Sequence, residues 1–172
     1  RDCRTKANDA ASRALALDAK SAEVQIAIAV CSLLLNWDFP AAEDSLQKAA
    51  GLDPGLTEAR LWYGILLGCG GHIDEAVAEL QQAYRADPIL VARHAALGWL
   101  HQLRGERADA LRQYWDAIYL EPRAFLAYEG LGWAYLDAGN PAQALTEFEK
   151  ARALSGSAAI LQGAIGGCQA MA

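Results

Sequence analysis

TEARLWYGILLGCGGHIDEAVAELQQAYRADPIL, residues 57–90, reads as two amphipathic helices joined at Gly70-Gly71 and closed by Asp87-Pro88. The stretch recurs along the chain. Gly64, Gly98, Gly132 and Gly166 are 34 apart, as are Gly71, Gly105 and Gly139. Ala42, Ala76, Ala110 and Ala144 keep the same step. So do Ala49, Ala83, Ala117 and Ala151, and Pro54, Pro88 and Pro122. Five position series with one period predict helix–turn–helix units stacked into an all-α solenoid.

The residue types suit that geometry. Gly inside a helix costs roughly 1 kcal/mol relative to Ala, so a repeated helical Gly implies a packing return. The Gly and Ala series are expected where the two helices of a unit cross, since small residues let backbones approach. Leu46, Leu80, Tyr114 and Phe148 supply the large apolar group opposite. The prolines stop the second helix of each unit.

These residues resemble a tetratricopeptide-repeat (TPR) array, whose unit follows W-x2-L-G-x2-Y, then A-x3-F, then A and P. Leu131-Gly132, Tyr135, Ala144, Phe148 and Ala151 stand in register, with Tyr128 where the family often has Trp. Leu97-Gly98, His101, Ala110, Tyr114, Ala117 and Pro122 repeat the pattern. Tyr63-Gly64, Leu67, Ala76, Leu80, Ala83 and Pro88 do so again. The resemblance implies a right-handed superhelix over a single array, 1–172. Its parts are full units 22–56, 57–90, 91–124 and 125–158, with half units 1–21 and 159–172. Such a fold carries many unrelated partners and does not by itself name one.

Composition narrows the choices. The apolar fraction is 53%, above the usual range, as helix-rich packing requires. A formal charge of −6 argues against nucleic acid as the partner. No apolar run is long enough to span a membrane; Ile26–Leu35 comes nearest, and no direct membrane contact is expected. Cys3, Cys31, Cys69 and Cys168 show no C-x-x-C spacing. Cys31 and Cys168 share one slot of two repeats and are expected to be small apolar residues. Unpaired cysteines favour a reducing, cytoplasmic setting. The chain opens at Arg1 with a helix that lacks its unit partner. It is therefore expected to be a piece of a longer protein, and its cut ends are expected to allow end-to-end self-association.

Taken in order, helices are expected over 4–18, 22–35, 41–52, 57–69, 74–86, 91–104, 108–120, 125–138, 141–154 and 159–172. Ala19 stands where later turns have proline. Asn140 and Pro141 make a good helix start. The turn Asn36-Trp37-Asp38-Phe39-Pro40 reads as one residue longer than its counterparts and lacks their Gly. Trp37 and Phe39 are expected to plug the corner between helices. The string from Trp37 to Glu43 is similar to a WDW-x-x-AE element of TPR arrays attached to bacterial winged-helix regulators, adenylate cyclases and serine/threonine kinases. It departs in having Phe39 for the second Trp. Leu154-Ser155-Gly156 is similar to another turn of those arrays.

No catalytic motif emerges. G-x-S-x-G, H-E-x-x-H and the P-loop are absent from the sequence. Gly68, Gly70 and Gly71 end a helix rather than open one, so they lack the context of a phosphate cradle. His94 and His101 share a helix face without a third ligand near in sequence, and His101 holds the family's Tyr slot, which predicts a packed side chain. No metal or cofactor is expected, and the chain reads as no enzyme.

A surface remains. The resemblance implies that the first helix of each unit lines a concave groove. Its slots project onto Ile26, Val30, Leu61, Ile65, Ala95, Trp99, Glu129 and Trp133, an apolar stripe with Glu23, Glu58 and Glu129 at its edge. Chaperone-binding members hold Lys, Asn and Arg at such slots to clamp a carboxylate. Here they hold Ile26, Val30, Ala92 and Ala96, so chaperone tails are not expected. The expected function is a non-catalytic protein-interaction scaffold or regulatory module that binds a peptide or helix. The alternatives are a sensory domain for a small apolar ligand, and a structural spacer whose groove packs on another part of the full-length chain.

Overall fold

The computed structural model describes residues 3–86, 91–155 and 158–171. Pro88, the turn it closes and Gly156 lie outside them. The described residues are all-α, with no strand among them. No described helix is long and apolar enough to cross a membrane. The chain divides into two compact units, residues 1–88 and 89–172.

The first unit holds α1 (Cys3–Leu17), α2 (Ala22–Val30) with a π-helical continuation (Cys31–Asn36), α3 (Phe39–Leu52), α4 (Thr57–Cys69) and α5 (Ile73–Ala86). Ser21 Oγ caps α2 by accepting from Val24 N at 3.2 Å. Asp38 Oδ1 caps α3 by accepting from Ala41 N at 3.1 Å. The core of this unit includes one cluster of Ala29, Leu33, Ala42, Leu46 and Leu66 and another of Ala22, Ile26, Ala49 and Ala59. At the α4–α5 crossing, a Cβ added to Gly64 would lie 2.9 Å from the Leu80 side chain.

The second unit holds α6 (Val91–Leu103), α7 (Arg107–Leu120), α8 (Phe125–Asp137), α9 (Pro141–Ser155) and α10 (Ala158–Met171). Asn140 Oδ1 accepts from Gln143 N at 3.2 Å, the expected cap, with Pro141 following. Among the described residues, its core includes two clusters. One gathers Ala110, Tyr114, Ala117, Ala127, Leu131 and Ala134, the other Ala144, Phe148, Ala151, Leu161, Ile165 and Cys168. Ala76, Ala110 and Ala144 are fully buried, as the register demands.

The unit turns share one device. Gly71, Gly105 and Gly139 sit at φ 82°, 76° and 72°, the left-handed region in which a Cβ is penalised. Each turn is locked by a backbone bond across five residues: His72 N to Leu67 O, Glu106 N to His101 O and Asn140 N to Tyr135 O, all at 2.9 Å.

The first turn corrects the sequence reading. It is not longer than the others, because Trp37 stands 34 residues before Gly71 and takes the same left-handed place, at φ 56°. The extra residue lies earlier. Buried Ile26 and Leu61 are 35 apart, so the helix between Ile26 and Trp37 contains one residue more than its counterpart. The π-helical turn absorbs it, since i→i+5 winding takes up a residue without lengthening the loop. Accordingly Asp38 N reaches back six residues to Ser32 O, at 2.9 Å. Nor does Trp37 plug the corner. It is 74% exposed, because a left-handed Cα aims its side chain away from the helix pair, and only Phe39 packs on the core beneath.

Candidate interaction groove

Helices α6 and α8 pack side by side in the second unit, with α7 behind them. The ring of Tyr114 from α7 enters the seam. A Cβ on Gly98 of α6 would lie 2.6 Å from Tyr114 Cε1, and one on Gly130 of α8 would overlap the same ring. Gly98 belongs to the 34-residue series, whereas Gly130 does not. Two missing side chains therefore let one aromatic ring close the floor of the α6–α8 face.

A polar network fixes the end of that floor. Tyr114 Oη donates to Gln102 Oε1 at 3.2 Å, and Gln102 Nε2 donates to Asp137 Oδ2 at 2.5 Å. Arg107 Nη2 donates to the Asp137 carbonyl at 2.6 Å. Burial, then the negative charges of Asp137 and Glu129, hold the Tyr114 phenol far above its ordinary value. The hydroxyl is a permanent donor here.

The same two helices carry Ala95 and Trp99 on α6, both partly buried, and Leu126, Glu129 and Trp133 on α8, the last three at helical spacings of three, four and seven that put them on one face. Leu126 is 50% exposed and Trp133 44% exposed. Trp133 is braced from below by Phe148, edge to face, with ring centroids 5.1 Å apart. Glu129 is half-buried one helical turn before Trp133. Burial raises its carboxyl above the ordinary 4.5, and a hydrogen bond from Trp133 partly offsets this.

In the first unit Ile26 and Leu61 do not belong to such a stripe, which corrects the sequence reading. Ile26 and Leu61 are each only 3% exposed. Ile26 sits in the core with Ala22, Ala49 and Ala59, and Val30 packs against that cluster. Ile65 packs partly on the neighbouring cluster. The physical cause is packing: Ile26 of α2 meets Ala49 of α3 and Ala59 of α4, so neighbouring helices cover that slot. Of the eight residues read from the sequence, Ala95, Trp99, Glu129 and Trp133 share the α6–α8 pair. Tyr114, expected as the large group opposite the small-residue series, also meets Gly130; Gly130 and Asp137 were missed, because their roles depend on which side chain fills which seam.

The histidines serve the scaffold. His101 is partly buried, with Nδ1 2.6 Å from Glu106 Oε2, and so ties the end of α6 to the start of α7. His101, Glu106 and Asp109 bring one ligand atom each within 4.8 Å of one another. Arg112 Nη2 donates to Asp109 Oδ1 at 2.6 Å, and Arg104 Nη1 stands 3.9 Å from Glu106. Positive charge beside both carboxylates opposes a metal ion, and the trio fits a lock on the turn. His94 Nδ1 is 2.9 Å from Gln113 Oε1, a bond between α6 and α7. In the first unit, a cavity of about 240 Å³ lies among α3, α4 and α5, lined by Leu46, Ala50, Pro54, Arg60 and Tyr63.

The model of the family described as tetratricopeptide repeat matches residues 126–150, within α8 and α9. A thermophilic TPR protein of Thermus thermophilus superposes with a TM-score of 0.81 at 20% identity, over 93% of this chain and 87% of that one. The fold is that of a tetratricopeptide-repeat protein. The TPR fold also relates it to the APC/C hetero-tetramer Cut9-Hcn1, with a TM-score of 0.80 at 17% identity over 98% of this chain. This chain spans only 34% of that one. PilW, a type IV pilus biogenesis factor, superposes with a TM-score of 0.71 at 20% identity, over 98% of this chain and 81% of its own. Among curated proteins none matches by sequence. At these identities the likeness is one of fold.

Proposed function

We propose that the chain is a non-catalytic protein-interaction module and that it binds a segment of a partner protein across the α6–α8 face. The observation that carries this reading is Trp133: a large aromatic half in solvent, braced by Phe148, beside exposed Leu126 on the same helix. Aromatic anchors on a rigid base dominate interface energies. Stacked TPR repeats present extended surfaces of this kind. A protein segment suits the face better than a small apolar ligand. Ligand pockets usually enclose about 300–1,000 Å³; the cavity at the end of this face, lined by Gln102, Arg107, Ala110, Ala134 and Asp137, holds about 260 Å³, and that of the first unit about 240 Å³.

The experiment is selection of a random linear peptide display library on the immobilised chain. The selected peptides are then titrated against Trp133→Ala and Trp99→Ala. Each variant is expected to weaken binding by about 2 kcal/mol with a nearly unchanged melting curve. Loss of stability without selective loss of binding would leave both tryptophans as core residues.

A further inference from the structure

We infer that the α6–α8 face takes a cationic anchor of its bound segment, the guanidinium or ammonium of a basic side chain lying beside an apolar one, on the carboxylate of Glu129. This rests on the reading of that face as a peptide-binding groove and specifies the chemistry of its partner.

Three observations carry it. First, the Glu129 carboxylate is half-buried, and its partner is the Trp133 indole rather than a cation. A carboxylate withdrawn from water without a counter-charge is costly, and an arriving cation offsets that cost. Second, the neighbourhood is acidic. Tyr114 is linked through Gln102 to Asp137, and the charges of Asp137 and Glu129 both act on its hydroxyl, so the field between α6 and α8 is negative. Arg107 donates to the backbone carbonyl of Asp137, while Gln102 holds its carboxylate. Third, the flanking surface is aromatic and aliphatic. Trp133 and Leu126 are about half exposed, so the stem of a long basic side chain can lie on them while its head reaches Glu129. A cation against the Trp133 ring adds attraction from the ring face. The formal charge of −6 draws basic segments from a distance.

The test uses the same display library, selected in parallel on the unaltered chain, Glu129→Gln and Glu129→Lys. Peptides from the unaltered chain should carry Arg or Lys next to an apolar residue and bind Glu129→Gln about tenfold more weakly, as for a charge-assisted contact. Glu129→Lys should instead select peptides bearing Asp or Glu. Melting curves confirm that both variants fold. If the selected peptides depend on Trp133 but lack basic residues, or bind Glu129→Gln as tightly, this inference falls and the groove stands. If no selected peptide depends on Trp133, the groove reading falls, and this inference with it.

Discussion

The ring of Tyr114 fills the space that a side chain at Gly130 would need. The ring belongs to α7 and the glycine to α8, so the second unit closes on a contact between the end of one helix pair and the start of the next. Tyr114 is 2% exposed, so its ring is enclosed by the helices around it.

Gly130→Ala should therefore destabilise the protein. Helix propensity alone favours Ala by roughly 1 kcal/mol, but overpacking a tight contact costs about 1–3 kcal/mol. A lowered midpoint in chemical denaturation is expected. A raised midpoint would mean that the ring is not held against α8.

Ile26→Ala separates core from groove. With Ile26 buried among Ala22, Ala49 and Ala59, its truncation should cost about 2–4 kcal/mol of unfolding free energy. A groove residue would lose far less. Urea denaturation with an unchanged midpoint would restore Ile26 to the surface.

Trp37→Gly should stabilise the first unit. A left-handed backbone costs an ordinary L-residue roughly 1–2 kcal/mol, and Gly avoids that penalty. Trp37 gives up only a tilted contact with Phe39, ring centroids 6.4 Å apart, because most of its surface is already in water. A net gain of about 0.5–1 kcal/mol is expected. Thermal unfolding that shows a loss instead would assign Trp37 a packing role.

Glu129 sets a pH dependence. Burial raises its carboxyl above 4.5, so the folded chain holds this proton more tightly than the unfolded chain does. The stabilisation is complete below 4.5 and is lost as pH rises through the folded value. Glu129→Gln stays neutral throughout. Its stability relative to the unaltered chain should therefore increase from pH 4.5 towards neutrality. Parallel curves for the two proteins across that range would show that the carboxylate is fully solvated.

Periodicity was enough for the architecture. The 34-residue step of Gly98, Gly132, Ala110 and Ala144 identifies helix crossings because only small residues permit them, and each helix appears within a residue or two of its expected place. The Asn140-Pro141 cap and the left-handed Gly71, Gly105 and Gly139 are local signals of the same kind. Propensity, capping and turn chemistry act over a few residues, so they are written in the chain itself. Only tertiary structure decided the rest. It moved the surplus residue from the first turn into a π-helical segment, because helix packing and turn geometry compete for it and the turn wins. It buried Ile26 and Leu61, because neighbouring helices cover them. It left Trp133 half in solvent on Phe148, and it drew Tyr114 between Gly98 and Gly130. Burial depends on how many helices meet at a residue, and a repeat pattern assigns every unit the same slots whatever its neighbours.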